Sequence, residues 1–527
     1  MAREISPESG LVAKGRKCLP FNKDAVLGRD RLPETWRRTL GDSGLAQVGF
    51  GRASLAGTYK TDTPVADEID VRVLVARDDG AAAALAVADF GLLWPAMCAR
   101  LRQAVAEALD VPAECLGIFT TQNHGVLSND CKALDAGALE RAFVSAARAA
   151  DAAIAPAQVA AVSVPAGPGL VYCRRVHLEP FGAMSFWFGY RLEADGRADV
   201  SHILKLALKQ LSEGRMYQRR FFEPAGEGDG AYDVPDAPIP VPHPLWLPPA
   251  LDDRVQGLFF RTPGGRPIGS LVRIAAHPNT ANVGSAGWHS GDYPVYVRRR
   301  LQGVFGGGAI FLTGPCGDQA TGVERKSLAL AEKVGRQVAD AALAALPRAQ
   351  WVGAAPVRAA SPTVRLHIRE DYPCCRETAG RFREALEARF RDAVAAGRPL
   401  AELKRISDQW EMYLYVTQGN HQDWTGLDLT GQAGLPLPHP LFVMRIGPAV
   451  LAGLPGEPFG RISSRLRDET IGESLIVCEE ANGYLSYIPT ADELAAGGYG
   501  PNAVLFDGRA EQTLIDGVKA GLKEAFP

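Results

Sequence analysis

What this chain lacks narrows it first. Its opening residues, MAREISPESGLVAKGRKCLP, hold no apolar core of a secretory signal. No stretch approaches the roughly 20 uninterrupted apolar residues of a membrane-spanning helix, so no integral membrane segment is expected. Nine cysteines are scattered without CxxC spacing, and Cys374 and Cys375 are adjacent rather than set for pairing. An odd, scattered set argues against a disulfide framework and points to a reducing, cytoplasmic setting. Neither sign of charge dominates, with 57 Lys and Arg against 60 Asp and Glu and a net charge of −3. That removes the electrostatic reason to expect nucleic acid or an anionic membrane as partner. The run Arg298-Arg299-Arg300 reads as a solvated helix face. GFGRAS, near residue 50, lacks the third glycine and the downstream acid of a dinucleotide-binding turn. No internal repeat is present.

What remains is an ordinary globular composition, 46% hydrophobic and 22% charged over 527 residues, with ample length for a large core. Residues 1–44 read as an irregular leader. From 45 onward, strand-like and helix-like segments alternate. Strands are expected over 45–57, 67–80, 83–90, 116–122, 269–276, 308–314 and 363–368. Helices are expected over 97–110, 138–154, 293–305, 322–346, 377–397 and 510–525. A hairpin leading to a helix is expected over 441–460, and a strand and loop over 474–490. The alternation predicts one large mixed α/β domain over 45–527. Residues 215–250 interrupt it with a long Pro-, Gly- and acid-rich stretch. Trp246, Phe221 and Phe222 give that stretch something to bury, so it is expected to be a lid over a site or else an insertion.

Five segments share one grammar, an apolar strand followed by a polar or small-residue turn. They are TTQNH (120–124), RIAAHPNTANVG (273–284), FLTGPCGDQATG (311–322), LAGLPGEPFG (451–460) and EEANGYLSYIPT (479–490). Ligands of α/β folds gather at such strand ends. Imidazoles and a carboxylate on converging strand ends suit a catalytic zinc, and His124, His277 and Glu457 are the candidates. Each also has a plainer reading. A single histidine after a strand is more often a polar turn residue, and Glu457 could cap the helix after it. Cys316 lies near Asp318 and could serve as a nucleophile, or simply as a small core residue.

Taken in order, these segments resemble the neutral ceramidases and their bacterial relatives, which are zinc-dependent amidases. The resemblance runs from about residue 45 to the C-terminus. It rests most on GLPGEPF and NGYLSYIPT, supported by VGFGRASLAG, IFTTQNHG, GSLVRIAAHP, SGDYPVYVRRRL and AIFLTGPCGDQA. It implies the ceramidase catalytic fold, without the C-terminal immunoglobulin-like domain of the longer enzymes. It also implies a Zn2+ cofactor held by His277, Glu457 and Tyr487, an active-site tyrosine at Tyr499, and a substrate-contacting arginine at Arg174 or Arg175.

Two positions depart from the family pattern. Gln122 stands where the family has a zinc histidine, and His124 matches a second histidine that works near the scissile bond. Residues i and i+2 of a strand share a face, so His124 could take the ligand role. Alternatively the Gln122 oxygen could bind, or the metal could be lost. Ala320 stands where ceramidases carry an active-site serine. The expected function is therefore zinc-dependent hydrolysis or acyl transfer at an amide of a small soluble substrate. The rival expectation is a metal-free binding protein on the same fold.

Overall fold

The computed structural model describes residues 44–216 and 251–526, apart from 61, 127–130, 168–169, 179–181, 186–190, 193–197, 200–210, 212, 282–287, 322–325, 374 and 419. All but the last residue of the expected leader at 1–44 and all but the first two residues of the expected lid at 215–250 lie outside the described residues.

The fold is mixed α/β, arranged as two sheets face to face with helices on both outer surfaces. The larger sheet contains β1 (Ala46–Ser54), β2 (Asp70–Asp78), β3 (Ala81–Ala88), β4 (Leu116–Thr120), β5 (Ala155–Pro165), β6 (Arg254–Arg261), β7 (Pro267–Ile274) and β8 (Gly308–Thr313). Its order is β8-β7-β6-β5-β1-β2-β3-β4, and β9 (Val352–Gly353) pairs with β5 off this path. Pairing is antiparallel except between β7 and β8 and between β3 and β4. The second sheet runs β10 (Val357–Ala360), β11 (Phe442–Ile446), β12 (Ala449–Gly453) and β13 (Leu475–Cys478), with only the β12–β13 pair parallel.

The alternation within strands decides which faces meet. Along β2, Leu74 and Ala76 turn into the space between the sheets, while Val71, Val73 and Val75 face the helices. Between the sheets, Leu74, Leu85, Phe119 and Ile310 pack with Phe442, Met444, Leu451 and Ile476. The Phe119 and Phe442 rings meet edge-on with centroids 6.0 Å apart. Outside the larger sheet lie α1 (Pro95–Leu109) and α2 (Ala136–Ala152), and further along it α3 (Asp292–Val304) and α4 (Leu328–Ala345). After α5 (Arg376–Ala395) and α6 (Leu400–Thr417), α7 (Gly460–Glu469) and α8 (Ala510–Ala525) cover the outer face of the second sheet.

α2 lies directly on β1, which explains the small residues of GFG. A Cβ at Gly49 or Gly51 would fall 2.1 Å from the carbonyl oxygen of Ala150 or Ala146. The three consecutive arginines of α3 do not form one solvated face. Arg299 and Arg300 are exposed, but Arg298 is buried and grips Asp89 with two hydrogen bonds of 2.8 and 2.7 Å. The helical period turns that one residue inward, where a planar guanidinium matches a carboxylate. Among the described residues, no helix is long and apolar enough to cross a membrane.

Candidate active site

Five loops leave the C-terminal ends of β4, β7, β8, β12 and β13, and main-chain bonds tie them together. His124 N–H reaches the Pro278 carbonyl at 2.9 Å, Glu479 N–H reaches Thr313 at 3.0 Å, and Gly317 N–H reaches Pro458 at 3.0 Å. Glu457 and Tyr487 are Cα partners in a two-residue parallel pair. That pairing requires Gly456, which has φ +57° and whose added Cβ would sit 2.2 Å from the Ser486 carbonyl. Gly317 is held as closely, since a Cβ there would meet the Glu457 carbonyl at 2.4 Å.

On this frame the side chains converge. His277 is fully buried, and its Nε2 lies 3.7 Å from Glu457 Oε2. Tyr484 donates its hydroxyl to Glu457 Oε1 at 3.0 Å. Arg174, also buried, donates to the Gly317 carbonyl and to Tyr487 Oη at 3.2 Å, and stands 3.8 Å from Glu457 Oε2. The Tyr487 and Tyr499 hydroxyls are 3.3 Å apart. The arginine alternatives are thereby separated. Arg174 faces the cluster, whereas Arg175 braces its rim through Glu493, the Gly497 carbonyl and the Tyr499 carbonyl.

The Gln122–His124 pair is not laid out as a strand. β4 ends at Thr120, and Gln122 has φ +56°, so the shared-face argument does not apply there. The chain turns back instead, and His124 Nδ1 lies 2.9 Å from the Gln122 carbonyl. A donor to a carbonyl must be Nδ1–H, which leaves Nε2 with the lone pair. The His124 ring is half-buried and tilted over His277, with centroids 4.7 Å apart. Left-handed φ is strained for such residues and gathers at functional sites. Among the described residues six non-glycines adopt it, and Gln122, Glu480, Asn482 and Ser486 all belong to these loops.

Sequence reasoning did not single out Glu479, Glu480 and Tyr484. All three are buried. Their signal was an acidic pair placed directly after the apolar run LIVC. Burial is the main reason the Glu479 carboxyl is pushed far above the usual range, with the Glu457 charge adding to it. Glu480 is raised likewise by burial, then by Glu457 and Glu479. For Arg174 burial opposes the charge, but Tyr487, Glu457 and Tyr499 outweigh it and hold the guanidinium ionised. Cys316 is fully buried with its thiol raised well above normal by desolvation and by Glu479, which suits a protonated thiol rather than a nucleophile. Ala320 is buried beside His277, with which it forms an isolated parallel bridge.

Among the described residues, no three His, Cys, Asp or Glu side chains stand as a group able to hold an ion. The donor chemistry nevertheless fits a divalent cation, since an imidazole nitrogen and a carboxylate oxygen face each other and the Tyr487 oxygen could supply a third donor beside them. His124 is not joined to His277 and Glu457 as such a group.

No protein-family model matches the chain, and no curated protein matches it in sequence. Solved structures do. Neutral ceramidase from Pseudomonas aeruginosa superposes with a TM-score of 0.60 at 16% identity, covering 92% of this chain and 76% of that one. A ceramidase complexed with C2 superposes with a TM-score of 0.58 at 14% identity, with the same coverage. With its two packed sheets and its site at their strand ends, the chain has a fold similar to that of bacterial neutral ceramidase.

Proposed function

We propose that this protein is a metal-dependent hydrolase of amide bonds in small soluble substrates. The observation that supports it is the convergence of His277, Glu457, Tyr487 and Arg174 in one buried cluster drawn from separate strand ends, on a ceramidase-like fold. His277, Glu457 and Tyr487 would hold a zinc ion, with His124 or Gln122 completing the set. Such an ion supplies Lewis acidity toward an acyl carbonyl. Arg174 is fixed by the Gly317 carbonyl, so its charge orients a carbonyl or carboxylate without reorganising. The Tyr499 hydroxyl, paired with Tyr487, donates to oxygen where negative charge develops. Where Gln122 completes the set, the His124 Nε2, at a half-buried position with Nδ1 on the Gln122 carbonyl, is placed to take up and release a proton. Ala320 brings no hydroxyl beside His277, so a reaction that needs a serine there lacks it.

Elemental analysis of protein purified without added metal is the first test. About one zinc per chain is expected, with loss in His277→Ala. A panel of short N-acyl amides beside a fluorescent long-chain ceramide is the second. Turnover of the short amides is expected, and efficient turnover of ceramide would overturn the substrate class. A second reading, a metal-free binding protein, is favoured by Gln122 in a histidine's place. An empty protein that takes up no zinc on dialysis would establish it over the first.

A further inference from the structure

Behind the two edges of the site lies one sulfur. Cys316 Sγ is 3.2 Å from His277 Nδ1, 3.1 Å from Gln122 Oε1 and 2.9 Å from Glu479 Oε1. Its own N–H is fixed to Glu479 Oε2 at 2.8 Å. The thiol is therefore clamped from behind, and it touches both residues that border the candidate metal position from this side.

The Gln122 amide carries the inference. The residue is buried and in a left-handed backbone conformation. With its oxygen on the sulfur, its Nε2 is buried with no hydrogen-bond partner among the described residues. An orphaned buried amide donor is costly. A half-turn about the last side-chain bond exchanges the two amide atoms in place. The turned amide donates Nε2–H to the sulfur and leaves Oε1 as a neutral oxygen donor. The same sulfur accepts Nδ1–H from His277, which leaves Nε2 with the lone pair.

We infer that Cys316 is a positioning residue: with its own proton held by Glu479, its sulfur accepts from both His277 and Gln122 and so directs an imidazole nitrogen and an amide oxygen toward one cation. The inference rests on the metal-dependent reading above. It gives Gln122 a ligand's place in this chain rather than leaving a gap where a histidine is missing. A hydrogen-bonded partner behind a ligand commonly contributes ten- to hundredfold in metal affinity.

The test uses the full chain and Co2+ as the probe, reading its dissociation constant by chelator competition and its absorption spectrum. Cys316→Ala is expected to weaken Co2+ binding about tenfold to a hundredfold and to change the visible bands. Cys316→Ser, which keeps a donor and acceptor, is expected to restore most of that affinity. Gln122→Leu should weaken binding as well, and its loss should not add fully to that of Cys316→Ala, because the two act through one contact. Three results would overturn the inference while wild type still binds Co2+. One is unchanged affinity and spectrum in Cys316→Ala. Another is equal loss in the serine and alanine variants. The third is a near-ultraviolet sulfur-to-cobalt band in wild type, which would make the sulfur itself a ligand. A wild type that binds neither Co2+ nor zinc overturns the metal-dependent reading and this inference together, so the two failures are told apart by wild type alone.

Discussion

His439 ties protonation to the loop that carries the buried acids of the site. Its ring is buried, and Nε2–H donates to the Ala481 carbonyl at 3.2 Å, one residue beyond Glu480. Burial, the largest influence, lowers its pKa from 6.5 to about 4; the Ala481 hydrogen bond opposes this and the Arg102 charge adds to it. Above pH 6.5 the residue is neutral in both folded and unfolded chains, and its stabilising contribution is complete. As pH falls from 6.5 toward 4, the unfolded chain takes up a proton that the folded chain refuses, and stability is lost. At about 1.36 kcal/mol per pH unit, the whole gap is on the order of 3 kcal/mol, of which roughly 2.5 kcal/mol is lost by about pH 4.5. His439→Gln keeps a donor for Ala481 and removes the titration. Urea unfolding of both proteins at neutral and acid pH gives the comparison. The wild type should lose roughly 2.5 kcal/mol relative to the variant across that range. The difference matters because other buried groups titrate too. Asp318, raised by burial to about 6, contributes with the opposite sign, being lost as pH rises, and it cancels between the two proteins. Parallel pH profiles would refute the reasoning.

Two further predictions concern the site. Gln122→His exchanges an amide for an imidazole at the strand-end turn and should raise zinc affinity by at least about tenfold, some 1.4 kcal/mol; competition titration with unchanged affinity would count against a metal at this position. Gly456→Ala places a methyl against the Ser486 carbonyl at positive φ, so it should cost about 1–3 kcal/mol of stability and displace Glu457. A variant with native melting and native zinc content would show that the tight turn does not set the site.

Much of the frame was legible because its strands are bounded by clear turn signals. β2 lies within its expected stretch, and β3, α2, α3 and α8 match theirs to within two residues. β5 was missed. Its sequence, APAQVAAVSVP, follows an alanine-rich helix and begins in the same composition, so local propensity does not mark where helix becomes strand. Yet it pairs with β1, β6 and β9 and lies at the middle of the larger sheet. The packing of one sheet on another was also out of reach, because each strand reports only that it has an apolar face, not what covers it. In the site, His277 and Glu457 were singled out from their segments and Tyr487 through the family resemblance, and the fold brings the three side by side. The contacts of Cys316 were not foreseen, because a small buried residue looks the same in sequence whether or not it touches an imidazole. Glu479 and Glu480 were passed over because two adjacent acids suggest solvent, and only the fold shows them buried.

The ties among the five loops have a consequence for cooperativity. The proposed donors come from residues 122 to 487, and main-chain hydrogen bonds between segments set their spacing. No fragment of the chain holds enough of these contacts to assemble the cluster. The site should therefore vanish in the same transition as the fold, rather than fraying ahead of it like a surface loop. Any ion it holds reports that the last strand end, at Tyr487, has found the first, at Gln122. The same arrangement leaves sequence free to drift at most positions, since backbone pairing rather than side-chain identity does the aligning. Geometry kept in the main chain is consistent with a fold that superposes over 92% of its length at 16% identity.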